Sequence, residues 1–475
     1  MVIWDLFINL APYHQCDREM KYLRRKIDAQ LLKWKESPRR KPLLLRGARQ
    51  VGKSYSVRHL GESFDSFLEV NFEEVPEARR LFEMNLEIEE ICNRLGILFG
   101  QTIVEGKTLL FLDEVQVCPA AIHALWFFKE RLPGLHVIAA GSLLEFAIKK
   151  MPSYGVGRIT SMYMYPMDYE EYLWAEQKDA WTTAICEASP DSPLFEPLHS
   201  QLVNSYRMFL IVGGMPASVN AWVETRDFNV CIDELTDIQE SYYDDFNKYA
   251  KSVDITLLNN TLQSVIRQVG RKFMYSNVAG GYHENDVKQA LTMLKDAGLI
   301  HLVEYSTANG LPLGAEVNPK FFKYLYLDTG LLMRAMSFDQ AGQNELTELI
   351  LTGSAADLVN KGAMAELSVG LELLKNSDSR RRCFMYYWQN IASGTSSEVD
   401  YILGNQGKVL PLEVKAGTSG KMKSLRLFME KKNLTTGLRC SLENFGRLEI
   451  SNGNSPAEIL IIPAYAISRY GTADR

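Results

Sequence analysis

The 475-residue chain has no paired-cysteine framework. Its seven cysteines, Cys16, Cys92, Cys118, Cys186, Cys231, Cys383 and Cys440, are odd in number and far apart, and no CxxC or Cys/His cluster occurs. That argues against a disulfide scaffold and a zinc site, and it suits reduced thiols in a cytoplasmic protein. A basic surplus is missing too. The formal net charge of −6 speaks against a general nucleic-acid coat, since phosphate contacts need a basic surface, although a local basic patch stays open. No charge-free apolar run is long enough to cross a bilayer. The opening "MVIWDLFINLAPYHQ" is interrupted by Asp5 and has no basic region ahead of it, so neither a membrane span nor a secretion signal is expected. Internal repeats and low-complexity tracts are absent from the sequence. What remains is an ordinary globular composition, in a chain long enough for about two to four domains.

The hydrophobic pattern divides the chain. Residues 1–37 contain a polar, basic helix, "CDREMKYLRRKIDAQLLKWKESPRRKP", ending near Ser37-Pro38. From 38 to 175, apolar strands such as "LLLRG", "SFLEVNF", "KTLLFLDEV" and "LHVIAAG" alternate with helical periods, which predicts a parallel sheet covered on both faces. Residues 176–255 read as a helical lid or linker. Between 256 and 345, the helix in "HENDVKQALTMLKDAGLIHLVEYS" ends at Gly298 and feeds strand signals, the outline of a winged helix. From 346 to 475 come a helix, three successive strands ("RCFMYYWQN", "EVDYILG", "KVLPLEVKAG"), a second helix and closing strands that include "IPAYAISR".

"GARQVGKS", Gly47 to Ser54, matches GxxxxGK[ST] between an apolar strand and a helix. Glycines let the backbone wrap phosphates, and successive N–H groups at a helix start bind the anion. The expected nucleotide contacts are Gly47, Ala48, Arg49, Gln50, Val51, Gly52, Lys53, Ser54 and Tyr55, with Lys53 reaching the β- and γ-phosphates and Ser54 on Mg²⁺. In "LLFLDEV", Asp113 would hold the same Mg²⁺ and Glu114 would polarise the attacking water. The cofactors expected are ATP and Mg²⁺. A metabolic kinase is disfavoured, because nothing after "DEV" offers an acceptor pocket.

This order of elements resembles the AAA+ ATPases. The resemblance implies a sensor role for Ser142 at the end of the fourth strand, and an arginine finger acting on a neighbouring subunit for Arg158 in "GVGR". Together with "LLLRGARQVGKS", "LFLDEVQ", "AAGSLLEF", "YPMDYEEY", "VGGMPASV" and "KYLYLDTGLL", the series from about residue 20 to 420 looks like one prokaryotic family. That family joins an AAA+ core to a C-terminal domain of unknown function, itself restriction-endonuclease-like.

Nucleases of the PD-(D/E)xK superfamily bring two carboxylates and a lysine to Mg²⁺. Glu413 and Lys415 alternate on one strand, so they face the same side, and Asp400 precedes the turn that folds the strands together. Glu366 matches the superfamily's helical acid, making Glu366, Asp400, Glu413 and Lys415 one candidate metal site. The plainer reading is an exposed cross-strand ion pair, worth little. The expected fold class is thus α/β: an AAA+ P-loop core, a helical and winged-helix-like middle, and a restriction-endonuclease-like C-terminal domain. The expected function is ATP hydrolysis coupled to nucleic-acid binding or processing. The alternative is a regulatory ATPase switch whose nuclease-like domain is inactive and serves protein binding or assembly. Expected partners are copies of the chain itself, DNA or RNA, and a protein partner, with no membrane.

Overall fold

Runs that are apolar at every position pair best where both sheet faces are covered, and the ATPase-like region is built that way. The computed structural model describes residues 22–84, 87–142, 144–149, 157–247, 253–336, 361–390, 397–417, 421–452 and 455–471. The opening segment 1–21 and the first part of the expected C-terminal domain, 346–360, lie outside the described residues.

After helix α1 (Lys26–Glu36), strands and helices alternate: β1 (Leu43–Arg46), α2 (Lys53–Gly61), β2 (Ser66–Asn71), α3 (Pro76–Glu83), α4 (Ile88–Phe99), β3 (Thr108–Asp113), α5 (Pro119–Arg131), β4 (His136–Ala140), α6 (Leu144–Lys149) and β5 (Thr160–Tyr163). The five strands form one parallel sheet in the order β2-β3-β4-β1-β5. Alternate residues serve different cores. Leu44, Leu110, Leu112 and Val137 pack with α3, α4 and α5, whereas Leu43, Leu45, Phe111 and Ile138 join a larger core shared with the rest of the chain. Helix α1 packs on that larger core through Ile27, Leu31 and Trp34.

Helices α7 (Tyr169–Ala175), α8 (Asp179–Glu187), α9 (Glu196–Val212), α10 (Pro216–Thr225), α11 (Phe228–Phe246), α12 (Ile255–Arg267) and α13 (Glu284–Asp296) follow. The chain then forms β6 (Ile300–Ser306), β7 (Val317–Tyr326), α14 (Thr329–Met336), α15 (Lys361–Lys375), β8 (Met385–Gln389), β9 (Glu398–Asn405), β10 (Lys408–Val414), α16 (Lys423–Lys431), β11 (Thr436–Ser441), β12 (Gly446–Asn452) and β13 (Ser455–Pro463).

All eight later strands make one sheet, ordered β12-β13-β11-β10-β9-β8-β6-β7. The hairpin expected as the wing of a winged helix is part of it, because β6 pairs in parallel with β8, Val303 opposite Met385. This ladder joins strands from the two sides of the expected boundary at 345/346, and it satisfies backbone groups that a free β6 edge would leave unpaired. "IPAYAISR" also departs from expectation. The ladder stops at Pro463, which has no N–H to give, and Ala464–Tyr470 turn into a 3-10 helix. The architecture is α/β throughout: a parallel five-stranded sheet with helices, and a separate C-terminal α/β sheet region.

Candidate functional site

The phosphate loop joins β1 to α2. Gly52 begins the helix at φ 96°, and a Cβ on Gly47 would come within 2.2 Å of the Met164 carbonyl oxygen, so only glycine lets the loop pass β5 this closely. Lys53 is 8 % exposed and donates to the carbonyls of Gly47 (3.1 Å) and Ala48 (2.7 Å). Burial pulls its ammonium down to about 8, against the pull of Glu114 and Asp113. Ser54 Oγ, on the first turn of α2, donates to Asp113 Oδ2 at the end of β3 at 2.7 Å. These are hard oxygen donors of the kind Mg²⁺ takes, so Ser54 and Asp113 fit a Mg²⁺ arriving with ATP. Burial raises the Asp113 carboxyl from its ordinary value.

Glu114 adopts φ 49° at the strand end, and its carboxylate accepts from Gln116 Nε2 at 2.5 Å. Ser142, buried after β4, lines the same cavity of about 290 Å³ as Gly47 and Ala48. Tyr55 is exposed, with the Arg58 guanidinium 5.6 Å from its ring centroid. Arg158 pairs with Glu130 at 3.2 Å and stands 4.2 Å over Trp126, both on α5.

The rest of the loop is clasped from outside the parallel sheet. Arg49 Nη1 pairs with Asp245 of α11 at 2.6 Å, and Tyr242 Oη donates to the Arg49 carbonyl at 2.8 Å. Gln50 Nε2 reaches Ser241 at 3.3 Å, and Arg25 Nη1 donates to the Val51 carbonyl at 2.8 Å. The turn at Gly298, φ 77°, is so close that a Cβ there would lie 3.2 Å from Ala48 N.

The four candidate residues of the C-terminal region lie near one another, on α15, on β9 and at the end of β10. Glu366 of α15 and Asp400 of β9 converge, and Glu398 joins them, one oxygen from each lying within 4.8 Å of the others. Lys323 of β7 is seated among them. Its Nζ pairs with Glu366 Oε1 at 2.8 Å and also with Glu398, and lies 4.9 Å from the Tyr387 ring centroid. Glu413 and Lys415 instead pair with each other at 2.6 Å, and Glu413 Oε2 accepts the Leu425 N–H at 3.0 Å. Of the expected foursome, Glu366 and Asp400 meet Glu398 and Lys323, while Glu413 lies beside them, close enough to act on the Asp400 and Glu398 carboxyls, and pairs with Lys415. Burial works against the Lys323 charge, yet Glu366, Glu398 and Asp400 together hold its ammonium above the ordinary lysine range. Burial and the neighbouring Glu366 push the Asp400 carboxyl well up, and its Oδ2 accepts the Val414 N–H at 2.7 Å. With an ammonium already in contact with two of its oxygens, this cluster does not fit a divalent ion.

Residues 39–173 match the family described as AAA domain. They are an AAA-type ATPase domain. Residues 203–342 match a domain of unknown function, DUF8612, and residues 361–459 match another, DUF4143. No curated protein matches the chain. Among solved structures, the Walker-type ATPase PABY2304 of Pyrococcus abyssi is similar at 16% identity, covering 67% of this chain and 97% of that one, with a TM-score of 0.43. The Aeropyrum pernix ORC1 protein in complex with DNA is similar at 12% identity, covering 69% and 94%, with a TM-score of 0.29. Drosophila ORC bound to DNA gives 14% identity, 65% and 84% coverage, and a TM-score of 0.25. Scores this low carry no argument about what the present chain does. Among the described residues, no helix of the ATPase domain or elsewhere is long and apolar enough to cross a membrane.

Proposed function

We propose that this chain is a Mg²⁺-dependent ATP-hydrolysing switch, in which nucleotide state repositions the helical region and the C-terminal sheet against the ATPase domain. The observation that carries this reading is the clasp on the phosphate loop. Arg49 cannot serve Asp245 and an arriving phosphate equally, so phosphate binding competes directly with the Arg49–Asp245 pair (2.6 Å). In this reading the backbone of residues 47–55 and Lys53 bind the phosphates, and Ser54 and Asp113 hold Mg²⁺. That ion, when bound, neutralises developing phosphate charge. Glu114 orients water, and Ser142 assists from the neighbouring strand end. Arg158, half-exposed where it rests on Glu130 and Trp126 of α5, is the arginine finger toward a second copy in a homo-oligomer that the position after β4 and α6 suggests.

Two variants test the switch. Glu114→Gln is expected to bind ATP and fail to turn it over, and Asp245→Asn to bind ATP several-fold tighter by freeing Arg49. Equal ATP affinity in wild type and Asp245→Asn would remove the clasp from the mechanism. What the switch moves is DNA, RNA or a protein, and the ATPase rate with each present is the discriminating measurement. Metal-dependent cleavage runs against this reading, because Lys323 already holds the Glu366 and Glu398 oxygens that a divalent ion would need. Linear, nicked and single-stranded DNA and RNA incubated with Mg²⁺ are expected to stay intact, and products that Asp400→Ala abolishes would overturn that expectation.

A further inference from the structure

We propose that Lys323 is a built-in counter-ion that bars divalent metal from the Glu366/Glu398/Asp400 cluster, keeping the C-terminal domain metal-free while the β6–β7 hairpin is docked. The proposal deepens the switch reading and rests on it for its meaning, but its test does not pass through ATP.

Three observations support it. The first is position. Lys323 is 2 % exposed on β7 and reaches across the sheet face, over Tyr387 of β8, to Glu398 at the start of β9 and Glu366 on α15. A divalent ion needs the same carboxylate oxygens at about 2.0–2.6 Å, where the ammonium already sits, and two cations this close repel strongly in a buried site. The second is the charge balance. The ammonium answers two carboxylates, Asp400 Oδ2 accepts the Val414 N–H, and the adjacent Glu413 is matched by Lys415. The third is packing. Tyr401 Oη donates to the Glu366 carbonyl at 2.8 Å, and a Cβ on Gly270 would stand 3.2 Å from Glu366 Oε2, so the acid is held where the lysine meets it.

The experiment titrates Mn²⁺ into the full-length chain, reading bound ion by electron paramagnetic resonance, for wild type, Asp400→Asn, Lys323→Met and Lys323→Met/Asp400→Asn. Methionine keeps the apolar stem and removes the charge. Wild type and Asp400→Asn are expected to bind Mn²⁺ identically. Lys323→Met should gain one site per chain, at least tenfold tighter than any background binding, and lose it in the double variant. A wild-type site that Asp400→Asn removes would overturn the proposal, as would a folded Lys323→Met that gains none. If Lys323→Met does not fold in metal-free buffer, it is refolded with and without Mn²⁺: rescue supports the proposal and no rescue overturns it. ATP turnover is measured on the same samples. It is expected to stay at the wild-type rate, so a chain that hydrolyses no ATP fails the switch reading without touching this one.

Discussion

Among the described residues two lysines are buried, and they are buried differently. Lys53 is surrounded by backbone carbonyls, with no carboxylate among its hydrogen-bond acceptors, and its ammonium is drawn down to about 8. Lys323 touches two carboxylates, and its ammonium is held up despite burial. A buried cation with no carboxylate in contact costs stability until an anion arrives, and that cost is what makes it a phosphate receptor. A buried cation already paired is complete and offers a ligand nothing. One side-chain type is thus a binding group at one end of the chain and a closure at the other.

The largest effect expected from breaking this contrast is on turnover. Lys53→Met should abolish ATP binding, and Glu114→Gln should cut kcat by about 10²–10⁴ with nucleotide still bound, as seen in steady-state rates beside equilibrium ATP titration. Next comes stability, where the same substitution should act with opposite sign. Lys323→Met strands Glu366 and Glu398 and should lower unfolding free energy by about 3–5 kcal/mol at pH 7. Lys53→Met removes an unpaired buried charge and should raise it by about 1–2 kcal/mol, less than the shift alone implies because the two loop carbonyls lose their donor. Denaturant midpoints of the two variants decide this.

The third effect is in the pH profile. The folded Lys53 titrates near 8 and an unfolded lysine near 10.5, so the unfolded chain binds more protons between these values and stability rises with pH across that window. The slope should be at most about 1.4 kcal/mol per pH unit and should vanish in Lys53→Met. Lys323 shows the reverse sign: its pair contributes fully below the unfolded value and is lost only as pH climbs through its higher folded one. The smallest effect is at the clasp. A double-mutant cycle on Arg49 and Asp245 should give a coupling of about 0.5–1 kcal/mol, because Arg49 is 36% exposed. Saturating ATP should shrink that coupling.

How legible each site was follows from how local it is. The phosphate loop, Asp113 and Glu114 are contiguous motifs at strand ends, and alternating apolar runs announced the parallel sheet that brings them together. Glu398 was also within reach, since it lies two residues before Asp400 on one strand and must share its face. The two-acids-and-a-lysine pattern fits Glu413 and Lys415 at the end of the next strand and has no place for Glu398. Lys323 sits inside "KFFKYLYLDTG", where a lysine in an aromatic strand signals a buried charge needing a partner, but its partners lie 43 and 75 residues away. The Arg49–Asp245 contact spans 196 residues. Periodicity reports which face a residue occupies, and says nothing of which distant element covers that face.

The hairpin that carries Lys323 begins at Gly298, against the phosphate loop, and ends near Asp328, whose carboxylate accepts the Gly214 N–H at 2.7 Å while the Gly214 carbonyl accepts from Met167 at 2.6 Å. One short stretch of chain is therefore a shared part of both centres, and the protein does not come apart into a motor and a cargo. An isolated piece starting at residue 346 would carry Glu366, Glu398 and Asp400 without their ammonium. Such a piece would take up metal as an artefact of being cut, and a chemist studying it would report a property that the intact molecule withholds.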